Sequence, residues 1–327
     1  MAKSRRRKIS PLKLNFRRLV VCALALAVAA GGLKLVHFFG DEDTRDAIEG
    51  GIVQVIDVAR ECPATPDEMV FLLDEIAHRL PFVRGRGVDA GTLDATGLVL
   101  GGVPASSKPL LLLKNRGYVV GYDETTANPA WVAYKVFPPK SFETGARPDF
   151  EPDLRTRSRV APADYALSGY DRGHMAPNQA MGACYGDAAQ RESFLMSNIV
   201  PQLHEVNAGL WKELEQRILK RYTRAFGDVW VVCGPLYGER SRAKPLKGKI
   251  AVPDAFFLVV ADRDESCGNA LRTLAFVVPH EKNLDGNARA YLTSIREIER
   301  RSGLDFFSAL DAATQDALEL KPAKTVW

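Results

Sequence analysis

The first forty residues contain no aspartate or glutamate, although the 327-residue chain carries 40 acidic groups. They hold nine of the 44 lysines and arginines. The remainder therefore has 35 basic and 40 acidic residues, about −5 in formal charge against +4 for the whole. A negative domain does not grip nucleic acid by bulk attraction; any polyanion it binds needs a local basic patch and a metal ion. Cysteine is scarce: there are five, with no CxxC or Cys/His spacing that would suggest zinc. Histidine also numbers five. No internal repeat is visible, and strands and helices do not alternate regularly. This favours an α+β fold over a doubly wound sheet. Apolar and charged fractions are near globular averages, so a packed core is expected.

What is present begins with the N-terminus. Residues 1–18 are strongly basic, and 19–33 are fifteen uncharged residues. Counted on to Phe39, the apolar run is just long enough to span a bilayer, with Lys34 snorkelling. Ala27-Val28-Ala29 offers a small-residue cleavage site. The basic flank stays cytoplasmic and the rest is exported. The segment 19–39 is read first as a signal anchor, with the following domain on the periplasmic or external side. The second reading is a cleaved signal peptide and a secreted product. The third is a mitochondrial presequence, which is also Arg-rich and acid-free. Cys22 lies in this segment. Cys62, Cys184, Cys233 and Cys267 would be exported, an even number that permits two disulfides in any of three pairings.

Residues 40–105 read as a linker with a short helical region of no assigned role, and 106–327 as the main domain. Thr65 caps a helix over 66–80, with Pro66 in the first turn and Glu68 closing a capping box. Residues 84–109 are rich in Gly, Pro and Ser and read as loop. Residues 118–123 and 131–136 form a strand hairpin across a polar turn. Later strands are expected at 229–233, 256–261 and 273–278, and helices at 190–196, 208–225 and 288–301.

Chemistry concentrates in two places. In Asp171-Arg172-Gly173-His174 the arginine and histidine, two residues apart on an extended segment, point to the same side. Phosphodiester hydrolysis needs a base for water and positive charge where the phosphorane develops, and His174 and Arg172 could supply them. Gly173 would allow close approach. The plainer alternative is a strand histidine paired with Asp171. In the second place, Leu210, Trp211, Leu214, Ile218 and Tyr222 form one helical stripe. Asn207 stands at its N-terminal end, as a metal ligand or a helix cap. Glu215 falls about 80° round and about 12 Å further along. It can share a metal with Asn207 only by reaching back through a bound water; otherwise it is a core ion pair. Oxygen donors with retained waters describe Mg²⁺ or Mn²⁺. Arg147 is a candidate phosphate clamp or a plain surface residue. His204 reads as solvated or supporting, His78 and His280 as structural.

Taken together, these segments resemble the DNA/RNA non-specific endonuclease family of the ββα-metal (His-Me finger) type, which includes endonuclease G. The D-R-G-H core stands at 171–174. The N-x-x-x-W-x-x-x-E helix stands at Asn207, Trp211 and Glu215, after Ser197 and a run from Asn198 to Gln202. Weaker matches lie at 128–134, 234–237, 252–257 and 298–307. The resemblance covers roughly 110–315. It implies an α+β fold with a mixed, mainly antiparallel sheet flanked by helices. It implies cleavage of DNA and RNA to 5′-phosphate and 3′-hydroxyl ends, with His174 as general base and Asn207 as direct Mg²⁺ ligand. Glu215 would act through a metal-bound water, Arg172 would stabilise the transition state, and Arg147 would bind phosphate. Leu258 stands where many members carry lysine, and the alignment of Arg147 is loose by a residue. A homodimer is left open. Two readings compete: a phosphodiesterase for small substrates that would use the same residues, and a catalytically silent, membrane-anchored nucleic-acid-binding protein.

Overall fold

The computed structural model describes residues 97–238, 245–264 and 270–327. The basic tail, the apolar segment, the linker at 41–64 and the helix expected over 66–80 lie outside these residues. Among the described residues no helix is long and apolar enough to cross a membrane.

The described strands, in chain order, are β1 (Ala105–Ser106), β2 (Leu111–Asn115), β3 (Tyr118–Asp123), β4 (Asn128–Val136), β5 (Asp171–His174), β6 (Ile199–Gln202), β7 (Val229–Leu236), β8 (Ala255–Asp264), β9 (Ala270–Pro279) and β10 (Leu304–Asp305). The helices are α1 (Asn178–Tyr185), α2 (Asp187–Glu192), α3 (His204–Asn207), α4 (Leu210–Arg217), α5 (Thr223–Phe226), α6 (Ile295–Ser302) and α7 (Ala312–Glu319). Six strands form one sheet in the order β2-β3-β4-β7-β8-β9. The sequence predicts a mixed, mainly antiparallel sheet. Every pairing in this sheet is antiparallel, and the parallel component is one isolated bridge, Glu151 to Leu195.

Both faces of the sheet are covered, so its strands read as nearly continuous apolar runs. On β8, Phe256, Leu258 and Val260 join one core while Phe257, Val259 and Ala261 join the other. This is the two-residue period of a strand put to use on both sides. The first face carries α4, a π-helical turn (Ile218–Tyr222) and α5, docked through Leu210, Trp211, Leu214, Ile218, Leu219 and Tyr222. The stripe expected from the sequence is therefore buried as a whole. The π turn shifts the helix register and adds Leu219 to it. The second face carries α6 and α7 through Ile295, Ile298 and Leu318, with Phe306 and Phe307 beside them. Each such side chain contributes about 1.5–3 kcal/mol on full burial. Leu258 is 2% exposed, so no basic contact is made from that position.

Several boundaries differ from the expectations, each for a local reason. The helix expected at 190–196 is α2, three residues earlier. The chain after Ser193 is drawn off by backbone bonds between Glu151 and both Phe194 and Met196. The helix expected at 288–301 splits into a 3₁₀ turn (Ala288–Tyr291) and α6. Between them Leu292 bridges to Phe276, and Thr293 donates to the Ala275 carbonyl. Ser294 then caps α6 by accepting from the Glu297 N–H, and Gly303 ends it at φ 71°. The fold also begins before residue 106: Leu98, Val99 and Leu100 are core residues, and the Trp230 indole donates to the Gly97 carbonyl. Cys184 and Cys233 are free thiols, so neither joins a disulfide. Cys62 and Cys267 lie outside the described residues.

Candidate active site

β5 and β6 form a separate antiparallel ribbon, and α3 and α4 follow it directly. Asn198 locks the ribbon at its far end. Its side-chain carbonyl accepts from the Ala176 N–H, and its amide donates to the Ala176 and Ser193 carbonyls. Asp153, 3% exposed, pairs with Arg155 and accepts from the Ser197 hydroxyl, which fixes the next residue. Gly173 faces the buried Gln202 side chain so closely that a Cβ would collide with it. The close approach expected at Gly173 is thus made by Gln202.

Arg172 and His174 leave β5 on the same side, as their spacing predicts. Both meet the half-buried ring of Phe150: the Arg172 guanidinium carbon lies 4.5 Å from its centroid, and the His174 ring lies at 5.3 Å. Phe194 stands edge-on to His174 at 4.8 Å, and Arg147 lies over both phenyl rings, at 5.8 and 5.4 Å. The loosely aligned arginine therefore does reach the ribbon. Burial, and then the Arg147 charge, push the His174 pKa down to about 3, so its imidazole is neutral at physiological pH. Its Nε2 is buried without a hydrogen-bond partner.

Asp171 does not pair with His174, as the plainer reading would have it. One of its oxygens accepts from the Asn207 amide at 2.9 Å and lies 2.8 Å from His204 Nδ1. Asn207 ends the one-turn α3, before a break at Ala208 and Gly209, and does not cap α4. Because its nitrogen is committed to Asp171, its carbonyl oxygen is the free donor atom. A cleft of about 500 Å³ is lined by Arg147, Phe150, Asp171, Arg172, His204 and Asn207, with Tyr165 and Tyr170 among its walls. Glu215 does not line it. It lies inward, where burial pushes its pKa up to about 8 despite the nearby Trp211 indole and the Lys212 charge. The indole N–H stands close without completing a hydrogen bond. No arginine pairs with Glu215 among the described residues. His280 is a structural staple: Nε2 accepts from the Leu203 N–H, and Nδ1 meets the Pro253 carbonyl.

The donor set suits a hard divalent cation. It offers a carbonyl oxygen oriented by Asp171 and, outside the cleft lining, a desolvated carboxyl with no ion-pair partner among the described residues. Residues 99–313 match the model of the DNA/RNA non-specific endonuclease family. This chain belongs to that family. Such a nuclease is a hydrolase that acts on nucleic acid. The chain is 34% identical to mitochondrial nuclease EXOG of Danio rerio, over 67% of this chain and 68% of the relative. It is 31% identical to a nuclease of Nostoc sp., over 68% and 82%, and 32% identical to human mitochondrial endonuclease G, over 60% and 70%. A solved EndoG/EndoGI complex contains a similar fold, with a TM-score of 0.53 at 25% identity, covering 62% of this chain and 89% of that one.

The nuclease brings together Arg147, Arg172, His174 and Asn207 and leaves Glu215 one layer deeper. Sequence reasoning missed Phe150 and Phe194 as the site's walls, and Asp171 as the link to Asn207. The available signal was slight: an aromatic three residues after Arg147, inside an otherwise polar, proline-containing loop.

Proposed function

We propose that this nuclease cuts DNA and RNA internally, without regard to the sugar, using one divalent cation, Mg²⁺ or Mn²⁺, and leaves 5′-phosphate and 3′-hydroxyl ends. The observation that carries the reading is the convergence of Arg147 and Arg172, unpaired among the described residues, on the cleft that holds Asn207, with the neutral His174 imidazole packed against the Phe150 ring of its wall. Arg147 and Arg172 bind the non-bridging oxygens of the scissile phosphate. His174 accepts a proton from water, which attacks phosphorus in line with the departing 3′ oxygen, and that oxygen takes up a proton from solvent as its bond to phosphorus breaks. The phosphate also neutralises Arg147, one of the two causes of the low His174 pKa, so substrate binding strengthens the base. Asn207 would hold the cation directly and Glu215 through water; when bound, it would neutralise phosphate charge and ease departure of the leaving oxygen. No group in this scheme addresses a 2′-hydroxyl or a base edge, which supports low specificity.

Incubating the full chain with plasmid and total RNA, with Mg²⁺ and then with EDTA, tests the reading. Cation-dependent loss of both substrates is expected. Cleavage of bis-p-nitrophenyl phosphate with intact plasmid would instead indicate a small-substrate phosphodiesterase. Because kcat/KM reports the free enzyme, His174 should impose no inflection near pH 6.5 on it, its acid limb being displaced well below that value. We also propose that residues 1–39 anchor or export the domain. Protease accessibility of the chain in intact cells tests this: a domain protected until lysis would overturn it.

A further inference from the structure

We propose that Phe150 is the positioning residue of the site, holding Arg172 and His174 in register with each other, with Phe194 as its backstop. The inference rests on the nuclease reading above. Arg172 is an exposed, long side chain with several rotatable bonds, and His174 is half-buried. Among the described residues neither makes a hydrogen bond or ion pair that would fix it, and His174 Nε2 is left without a partner. Their orientations are set instead by ring contacts. The guanidinium lies over the Phe150 face, the imidazole is tilted against the same ring, and Phe194 stands edge-on to the imidazole while touching Phe150 at 4.8 Å.

The choice of an aromatic support has a chemical reason. A carboxylate would orient Arg172 equally well, but it would cancel the charge and occupy the N–H groups that a phosphate needs. A phenyl face attracts the cation through its quadrupole and leaves all five guanidinium donors free. It likewise leaves both imidazole nitrogens uncommitted. Phe150 thus orients both groups while spending none of their polar capacity. It acts through them and performs no proton transfer.

The test compares Phe150→Leu, Phe150→Met and Phe150→Tyr in the full chain. Kinetics are measured on plasmid, and thermal midpoints confirm folding. Both aliphatic variants should lose about ten- to hundredfold in kcat, the size of effect expected from slight misplacement of reacting groups, with KM changed by less than about threefold. The Tyr variant retains a ring face and should stay near wild type. In an Arg172→Ala background the further loss from Phe150→Leu should shrink, because the ring then has one group fewer to hold. Wild-type kcat in both aliphatic variants would overturn the inference. So would equal losses in the Tyr and Leu variants, or an undiminished Phe150→Leu effect without Arg172. A wild type that cleaves nothing with any cation overturns the nuclease reading itself, a result distinct from an active wild type with equally active variants.

Discussion

Two clefts of about 500 Å³ occur on opposite sides of the sheet, and they make an instructive pair. One is the cleft of Arg147, Arg172 and Asn207; the other lies between α6 and β10, lined by Arg296, Glu299 and Asp305. Each side of the molecule also holds a glutamic acid whose pKa burial raises to about 8, Glu215 on α4 and Glu319 at the end of α7. Glu299, Asp305 and Glu319 approach closely enough to suggest a cation site. Yet one arginine reaches most of that cluster. Arg296 pairs with Glu299 at 3.0 Å, with Glu319 at 2.9 Å and with Asp316 at 2.8 Å, while the Phe306 N–H donates to Glu299 at 2.8 Å. In the other cleft Arg147 and Arg172 have no such partners among the described residues. Cavity size is shared by both clefts; arginines left unpaired among the described residues distinguish the one we assign to catalysis.

Mutation should separate the two sides, starting with the largest effect. His174→Ala should lower plasmid and RNA cleavage by about 10²–10⁴-fold, the usual share of a general base, with the thermal midpoint little changed. An active variant would sink the assignment of the catalytic cleft. Arg172→Ala should cost on the order of 10²-fold or more in kcat; a change confined to KM would make it a binding group only. Arg296→Ala should leave kcat untouched but lower the thermal midpoint by roughly 5 °C, because it strands buried carboxylates. Loss of activity there would erase the contrast between the clefts.

The smallest expected effect is the most discriminating. Glu215 and Glu319 both have folded pKa values near 8 against about 4.5 when unfolded. The folded state therefore holds extra protons between these values, and its stability falls as pH rises through that window. Glu319→Gln and Glu215→Gln should each flatten part of that slope in thermal unfolding across pH 4.5–8. Added Mg²⁺ should flatten only the Glu215 share. If Mg²⁺ flattens the slope equally in Glu215→Gln, the carboxylate is not linked to the cation.

The parts of the fold that follow from local periodicity were legible in the sequence. The apolar stripe from Leu210 to Tyr222 and the hairpin of β3 and β4 needed only the periods of helix and strand. The side shared by Arg172 and His174 followed from strand alternation. Other features depend on contacts distant in sequence. α2 stops where Glu151, some forty residues earlier, captures the backbone of Phe194. Asn207 looks like a cap until Asp171 is brought beside it by the ribbon. α1 was invisible because only Ala180 and Met181 are buried on it, too few to make a stripe. Phe150 could be recognised only once the chain had folded it beneath two groups from β5.

Cys233 offers a use of its own. Its thiol sits on β7 with no exposed surface, 3.3 Å from the carbonyl of Met175, the residue that follows His174. Burial raises its pKa well above the usual thiol range, so it should ignore alkylating reagents while the β5 ribbon lies on the sheet. Cys184, partly accessible and bonded only to the Phe137 carbonyl, should react first. With the other cysteines replaced, the rate of Cys233 labelling becomes a stopwatch for lifting of the segment that carries His174, read by mass spectrometry without substrate or turnover.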